Sequence, residues 1–329
     1  MKNKLKTICI LLGIAVMCIL LCLLAAKLYK SKINTVDAFI QQDHVMEEYL
    51  VIEGLQKEYE LLFLTDTHVI ISSDEDDEQV IANADSRAPM FYDAAGISSA
   101  EQFPGWMEYA NESGVDAVLF GGDIIDYPSE ANVTFMHENL AKLEMPYLYT
   151  LGNHDWTYPW EYMTDTAKAE YIPMLEPAIK EDGTIQVLDM DEFVVVSVDN
   201  SSNQVSPEAL EEYLKILDMG RPVIVMVHVP FMTQSVLARS REVWDSPVVI
   251  GAGNYGGIYP TEESAAFVEA TTAADSPVIA VLAGHVHFYD KVYIDGEKPV
   301  IQIVGNAGFV RSGIVLHITG DEIKEEDSE

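Results

Sequence analysis

Five short groups of histidine, aspartate and asparagine residues each end an apolar run of this sequence. In chain order the groups are Asp66-x-His68, Gly122-Asp123-x-x-Asp126, Gly152-Asn153-His154-Asp155, His228 and Gly284-His285-x-His287. Oxygen and imidazole ligands of this kind suit zinc, manganese or iron. Because the candidate ligands outnumber what one ion requires, the pattern predicts a site for two metal ions.

Three of the groups, taken alone, carry little information, whereas residues 152–155 and 284–287 are more specific. Asp66 and His68 could form a capped turn, Gly122-Asp123 is a weak signal, and a single His228 is more often a hydrogen-bonded core residue. The five groups occur in order, each at the end of a strand-like run, and together they favour one common site. Convergence of these side chains in space is the test.

The apolar runs that carry these groups alternate with helical patterns. Strand-like runs cover residues 47–55, 58–66, 116–123, 146–153, 193–200, 222–230, 277–287, 299–306 and 313–318. Helical patterns cover residues 101–112, 133–143, 207–217 and 261–272. Ser206 followed by Pro207 is typical of a helix start. This alternation predicts an α/β fold with antiparallel hairpins among the last strands. The carboxyl ends of strands in such a sheet meet at one crevice, which would bring the five groups together.

The five motifs, in this order, resemble those of the calcineurin-like metallophosphoesterases. The resemblance extends over residues 47–318 and is specific for the family but not for a substrate. It implies a four-layer α/β/β/α sandwich of two mixed sheets flanked by helices. It also implies hydrolysis of a phosphate ester by a hydroxide that bridges two divalent ions, which would be manganese, iron or zinc. The alternative is a catalytically silent member that serves as a binding scaffold.

The resemblance also implies a role for each candidate residue. The expected metal ligands are Asp66, His68 and His287 for the first ion and Asn153, His228 and His285 for the second, with Asp123 bridging the two. His154 would face the phosphate as a general acid or charge stabiliser, and Asp155 would orient the ring of His154. Asp126 would be structural or would support the ligands from behind.

Composition narrows the class of partner and of metal site. The chain has 54 acidic and 19 basic residues, and six of the basic residues are lysines within residues 1–32, which contain no acid. The chain after residue 32 is therefore strongly acidic. A surface of this charge repels the phosphate backbone of a nucleic acid, which argues against a nucleic-acid partner. All three cysteines lie at or before Cys22, so a thiolate metal site in the main domain is excluded. Nothing in the sequence indicates a protein partner.

The N-terminal segment contains an uncharged stretch, residues 7–26. A helix rises about 1.5 Å per residue, so this stretch is long enough to cross the hydrocarbon core of a bilayer. Leu24 stands where a signal-peptide cleavage site requires a small residue, which favours an uncleaved anchor. We therefore predict an anchor with basic flanks at residues 1–32, a linker at 33–46, a metallophosphoesterase domain at 47–319 and an acidic tail at 320–329. Lysines flank both ends of the anchor, and the short N-terminal tail and large acidic domain favour an extracellular catalytic domain.

The segment 231–260 follows His228 and is expected to form a long loop above the metals. Within it, Arg239, Arg241 and Tyr255 are the candidate substrate contacts. Monoester, diester and pyrophosphate substrates all remain open. The expected partner is a phosphorylated small molecule or an envelope or lipid-linked phosphate ester.

Overall fold

The structure, a computed structural model, describes residues 40–74, 76, 78–157, 163–180 and 182–320. The predicted membrane anchor at residues 7–26 lies outside these residues, as do the first part of the predicted linker and residues 321–329 of the predicted tail. Within the described part of the chain, no helix is both long and apolar enough to cross a membrane.

The described residues contain eleven strands and seven α-helices. The strands are Val45–Val51 (β1), Tyr59–Leu64 (β2), Ala117–Phe120 (β3), Tyr147–Tyr149 (β4), Ile185–Asp189 (β5), Val194–Val198 (β6), Val223–Met226 (β7), Val278–Ala283 (β8), Asp290–Ile294 (β9), Val300–Val304 (β10) and Gly313–Thr319 (β11). The helices are Glu78–Arg87 (α1), Ser99–Ser113 (α2), Glu130–Leu140 (α3), Asp165–Tyr171 (α4), Pro207–Leu217 (α5), Gln234–Trp244 (α6) and Glu262–Thr271 (α7).

The strands form two mixed sheets, as predicted. The first sheet has the order β1-β11-β2-β3-β4, and the second has the order β5-β6-β7-β8-β10-β9. In the first sheet β2, β3 and β4 are parallel, and β11 is antiparallel to β2. In the second sheet β6, β7, β8 and β10 are parallel, and β5 and β9 are antiparallel edge strands. The parallel strands of each sheet therefore end at one edge.

The two sheets face each other across a shared apolar core. Phe63 of β2 and Ile224 of β7 belong to the same buried cluster. Successive side chains of a strand point to opposite faces, so Val225 of β7 lies in a second cluster together with Tyr213 of α5 and residues of α6 and α7. On the other side, the ring of Trp106 in α2 packs against Gly313 of β11. Helices thus cover the outer face of each sheet, and the layers follow the predicted α/β/β/α order.

Short polar side chains begin the helices at the expected places. The hydroxyl of Ser206 accepts a hydrogen bond from the backbone N–H of Ala209, and Pro207 occupies the first turn of α5. Ser98 and Glu101 form a reciprocal capping box at the start of α2. The predicted helix at residues 207–217 is therefore confirmed together with its cap.

Three local predictions differ from the structure. The segment 231–260 is not one long loop, because Thr233 caps α6, whose apolar face includes Val236 and Leu237. β1 begins at Val45, inside the predicted linker. The edge strands β5 and β9 were not among the predicted strands. Several of their residues are polar and face solvent, so neither strand is a continuous apolar run in the sequence. None of these differences moves the ends of the strands that carry the five polar groups.

Candidate active site

The five polar groups lie directly beyond the carboxyl ends of β2, β3, β4, β7 and β8. Backbone hydrogen bonds continue between these segments after the strands end. The N–H of Asp66 donates to the carbonyl of Gly122, and the N–H of Gly284 donates to the carbonyl of His228, both at 2.9 Å. Parallel neighbours therefore deliver the side chains to one edge, as the sequence pattern predicted.

The first group of converging side chains is Asp66, His68 and His287. Nε2 of His68 lies 3.1 Å from Nε2 of His287, which in turn lies 3.3 Å from Oδ1 of Asp66. Nδ1 of His68 is 3.0 Å from Oδ1 of Asp126, and because a carboxylate only accepts, this nitrogen carries the proton. The lone pair of His68 is consequently on Nε2, facing the other two residues. These three residues are the predicted ligands of the first metal.

The second group is Asp123, His228 and His285, whose ligand atoms all lie within 4.8 Å of one another. Nδ1 of His228 donates to the carbonyl of Gly121 at 2.9 Å, so its lone pair is on Nε2, 3.1 Å from Oδ2 of Asp123. The same Oδ2 lies 3.8 Å from Nε2 of His68 in the first group. Asp123 therefore stands between the two groups, where a bridging ligand is expected.

Two atoms of the predicted ligands of the second metal are buried without a hydrogen-bond partner. They are the side-chain oxygen of Asn153 and Nε2 of His228. Buried polar atoms nearly always have a partner, because losing hydration without replacement is costly. Both atoms are lone-pair donors that a divalent cation accepts. The residues present thus fit the two ions that the sequence pattern predicted.

The backbone at the site adopts a conformation that side chains other than glycine seldom take. Five predicted ligands have positive φ angles, namely Asp66 at 52°, His68 at 44°, Asp123 at 53°, His285 at 70° and His287 at 58°. Each such residue costs of the order of 1–3 kcal/mol, and such residues cluster at functional sites. Their concentration on one edge of the fold indicates that the surrounding structure is organised to hold these side chains.

Two glycines allow the motif loops to pack directly on the ligands. A Cβ atom on Gly152 would overlap the backbone nitrogen and Oδ1 of Asp123, and one on Gly284 would overlap the hydroxyl of Thr65 and the carboxylate of Asp66. The close approach of these loops therefore requires glycine at both positions.

The electrostatics of the site favour neutral rings at His68 and His285 and a positive charge beside the carboxylates. Burial and the nearby His154 lower the pKa of His68 to about 4, and burial and His228 lower the pKa of His285 to about 3. Burial alone would lower the pKa of His228, but the Asp123 carboxylate raises it to about 10. Neighbouring imidazoles lower the pKa of Asp123 despite its burial. A metal cation held by these residues would supply the positive charge that the carboxylates attract.

The sequence matches the model of the calcineurin-like phosphoesterases over residues 59–289. The chain belongs to this family. The matched residues contain all five motifs and lie inside the predicted domain 47–319. This protein is therefore a metal-dependent phosphoesterase, and its family binds two divalent ions. No curated protein sequence matches the chain.

The solved structures to which the chain is similar include two phosphatases and a hydrolase. A dimetal phosphatase from Danio rerio is 11% identical, with a TM-score of 0.46 over 77% of this chain and 88% of that one. The purple acid phosphatase PPD1 from yellow lupin is 12% identical, with a TM-score of 0.47 over 83% of this chain and 46% of that one. The phosphopantetheinyl hydrolase of Mycobacterium tuberculosis is 12% identical, with a TM-score of 0.38 over 78% and 88%.

Asp155 does not orient His154 in this phosphoesterase, and that prediction was wrong. Its Oδ2 accepts hydrogen bonds from the backbone N–H groups of Asp123 and Gly152, at 3.0 and 2.8 Å. Its Oδ1 accepts from the N–H groups of Ile124 and Ile125 and from the hydroxyl of Tyr149. Asp155 is a buried connection between the loop that carries Asp123 and the loop that carries His154.

Asp126 takes the orienting role instead. Nδ1 of His154 lies 2.8 Å from the carbonyl oxygen and 3.0 Å from the carboxylate of Asp126, which also accepts from His68. Arg87, from α1, donates to both carboxylate oxygens of Asp126. The guanidinium holds the pKa of Asp126 well below its usual range although burial opposes this. One carboxylate thus fixes a predicted ligand and the predicted acid together.

The sequence pattern missed Arg87 and Asn200. Arg87 lies on a helix with no motif of its own, so no local signal marks it. The side-chain oxygen of Asn200 accepts from the backbone N–H groups of His228 and Val229, and its amide donates to the carbonyl of Val229. Asn200 follows the end of β6. The five motifs were located as polar residues at the ends of apolar strands, and Asn200 meets the same criterion.

Replacing Arg87 with glutamine is expected to lower kcat about 10–100-fold, the usual effect of removing a residue that supports metal ligands. The reason is that Asp126 would lose its charged partner and hold His68 and His154 less rigidly. The measurement is kcat and KM with saturating metal, with Arg221→Gln as the matched control. Arg221 pairs with Asp189 on the surface, so its loss should be nearly silent. An unchanged kcat in Arg87→Gln would show that Asp126 needs no cation.

The predicted substrate contacts are engaged elsewhere. Arg239 donates to the carbonyl of Tyr289 and lies over the ring of Phe288, with the guanidinium carbon 4.4 Å from its centroid. Arg241 donates to the carbonyl of Tyr255 at 3.0 Å, and Tyr255 itself is 44% exposed. Arg241 therefore binds the segment after α6, and Arg239 binds the segment between β8 and β9. Neither arginine lines the cavity beside the ligands.

Proposed function

We propose that this protein is a membrane-anchored phosphoesterase that uses two divalent ions to hydrolyse a phosphate ester outside the cell. The observation that carries the chemistry is the position of Asp123 between the two groups of predicted ligands. When bound, two such ions neutralise the phosphate and lower the pKa of a water molecule so that hydroxide is available near neutral pH.

The side chains of this chain have separate tasks in that reaction. The residues that would hold the ions are Asp66, His68 and His287 on one side, Asn153, His228 and His285 on the other, and Asp123 between them. Burial alone would lower the pKa of His154, but the carboxylates of Asp123 and Asp126 raise it and favour the protonated ring. Because Asp126 holds Nδ1, a proton given to the leaving oxygen would pass through Nε2. His154 would then act as a general acid or as a fixed positive charge.

The membrane part of the proposal rests on the uncharged stretch of residues 7–26 and the acidic domain that follows it. An extracellular domain would meet envelope or lipid-linked phosphate esters and small phosphorylated molecules. Protease added to intact cells should degrade the domain while a cytoplasmic control protein survives. Protection of the domain until the cells are lysed would place it on the other side of the membrane.

The direct test of the chemistry uses the full chain in detergent, stripped of metal and reloaded separately with manganese, iron or zinc. Aryl monoester, aryl diester and pyrophosphate substrates are then compared. We expect turnover that disappears on stripping and returns on reloading, and the preferred substrate assigns the ester class. Absence of turnover on all three substrates, with two ions tightly bound, would overturn the proposal.

Metal removal should also lower thermal stability. A ligand that binds only the folded state at 1,000 times its Kd contributes about 4 kcal/mol. We therefore expect the melting temperature of the stripped chain to rise by several degrees on adding manganese, with two ions bound per chain. Magnesium, which prefers sites made of oxygen ligands alone, is the control and should have a smaller effect. Equal stabilisation by both ions would argue against an imidazole-containing site.

A further inference from the structure

A cavity of about 380 Å³ opens directly beside the second group of predicted ligands. Asn153 and His285 form one end of its wall, and two stretches, residues 246–248 and 256–258, form most of the rest. The cavity is thus continuous with the place where the phosphate would be held. Ligand sites usually measure about 300–1,000 Å³, so this one has room for a single compact group beyond the phosphate.

The wall of the cavity is mainly apolar. Met163, Pro247, Val248 and Ile258 supply its apolar side chains. Among the described residues that line it, none is lysine, arginine, aspartate or glutamate. A charged group placed there would lose hydration without gaining an ion pair, which is strongly unfavourable.

The polar groups of the wall are few and uncharged. The amide of Asn203 donates to the sulfur of Met163 at 3.7 Å and is therefore engaged within the wall itself. Apart from the predicted ligands, Ser246 contributes the other neutral polar side chain among the described residues of the wall. These groups can orient a neutral ligand, but they do not compensate a second anionic group.

The neighbouring cavity offers no better place for an anion. It measures about 430 Å³, and its lining includes Asp165, Asp182, Asp199 and Glu208. Its lysine, Lys168, already pairs with Asp199. The charges around the site thus disfavour a substrate with a carboxylate or a second phosphate on this side.

The apolar wall is held in place by the rest of the domain. The N–H of Gly251 donates to the carbonyl of Ile258 at 3.0 Å, and Ile250 and Ile258 form a short parallel bridge. Val248 and Ile258 also pack against the core of the second sheet. Together with the bond from Arg241 to Tyr255, these contacts preform the cavity, which lowers the cost of ordering it on binding.

We propose that this cavity receives the organic group of the phosphate ester and that this group is compact, uncharged and largely apolar. The inference rests on the proposed function, since it names the substrate class of the same site. It predicts discrimination between esters that differ only in one charge.

The test compares phenyl phosphate with 4-carboxyphenyl phosphate, each as the monoester and as the methyl diester, on the metal-loaded full chain. We expect kcat/KM to be about 30-fold higher for the ester with the uncharged phenyl group than for the carboxyphenyl ester, a preference of about 2 kcal/mol. The carboxylated phenol is the better leaving group, so intrinsic reactivity works against this preference. In Ser246→Lys, an added cation in the wall should reduce the preference to about threefold or less.

Val243→Lys is the matched control, because Val243 is 53% exposed on α6 and does not line the cavity. It changes the net charge equally and should keep the wild-type preference. If Ser246→Lys fails to melt cooperatively, Val248→Thr replaces it. That change keeps the shape of the wall while adding a hydroxyl, and it should weaken the preference about threefold.

A binding measurement separates failure of this inference from failure of the proposed function. Benzylphosphonate and 4-carboxybenzylphosphonate cannot be hydrolysed, and calorimetry gives their affinities whether or not turnover occurs. Tighter binding of benzylphosphonate, whose organic group is uncharged, supports the cavity assignment if the preference is reduced in Ser246→Lys. Equal affinities or equal turnover of the paired ligands, unchanged in Ser246→Lys, would overturn the assignment and leave the phosphoesterase proposal standing.

Discussion

Asp123→Asn is expected to lower kcat/KM by at least about 1,000-fold and to reduce the bound metal from two ions to one or none. Two ions held at this site would stabilise the transition state by several kcal/mol, and each 1.36 kcal/mol is a factor of ten in rate. Oδ1 of Asp123 accepts the backbone N–H of His154 at 2.7 Å, while Oδ2 lies between His228 and His68. An asparagine that kept the first contact would turn its NH₂ group, which cannot bind a cation, toward both imidazoles.

The measurements are steady-state kinetics and metal content, with Asp189→Asn as the control for the same chemical change. Asp189 is an exposed partner of Arg221, so the control should lose neither metal nor activity. We expect Asp123→Asn to remain folded, because asparagine has nearly the same shape. If it kept both ions and lost less than tenfold in kcat/KM, the bridging role assigned to Asp123 would be wrong.

Asp155→Asn is expected to destabilise the domain by about 2–6 kcal/mol, in addition to lowering activity. Each oxygen of Asp155 accepts at least two hydrogen bonds, and four of the five donors are backbone N–H groups. Whichever way the amide turned, its NH₂ group would face at least two buried donors, and each donor left unsatisfied costs about 1–3 kcal/mol. Burial and the nearby Asp123 raise the pKa of Asp155 to about 7, yet these donors all require an acceptor at its place.

Denaturant unfolding of the metal-free proteins distinguishes the two possible roles of Asp155. If Asp155 connects the loops, Asp155→Asn unfolds at clearly lower denaturant than the wild type and than Asp189→Asn. If it only oriented the ring of His154, the variant would lose turnover at unchanged stability. The second result would contradict the contacts described for Asp155.

The ends of the strands at the site were predictable because two independent signals coincide there: an apolar run and a polar residue shortly after it. β7 is a run of four apolar residues buried on both faces, and His228 lies two residues beyond its end. Helix α5 was also predicted correctly, because a capping serine, a proline in the first turn and an amphipathic pattern agree. Where the local signals of strand, cap and turn reinforce one another, the sequence alone predicts the element correctly.

The remaining features depend on contacts between distant parts of the chain. Asp155 adjoins His154 in sequence, but its side chain turns inward to the donors of another loop, so adjacency was misleading. Arg87 reaches Asp126 from a helix 39 residues earlier. Arg239 and Arg241 occupy a helix in which only two apolar residues, Val236 and Leu237, are buried, so the segment resembled a loop. In each case the partner determines the role, and the partner is not a neighbour in sequence.

The position of β11 has a consequence for the order in which this domain assembles. β11 lies between β1 and β2, although more than 240 residues separate it in sequence from either strand. During synthesis both neighbours leave the ribosome long before the strand that joins them, and such distant pairings close slowly. The edges of β1 and β2 must therefore remain unpaired, or be shielded by another protein, until almost the whole described chain has emerged. Asp66 follows β2, so the first metal-binding loop is completed only after this late insertion.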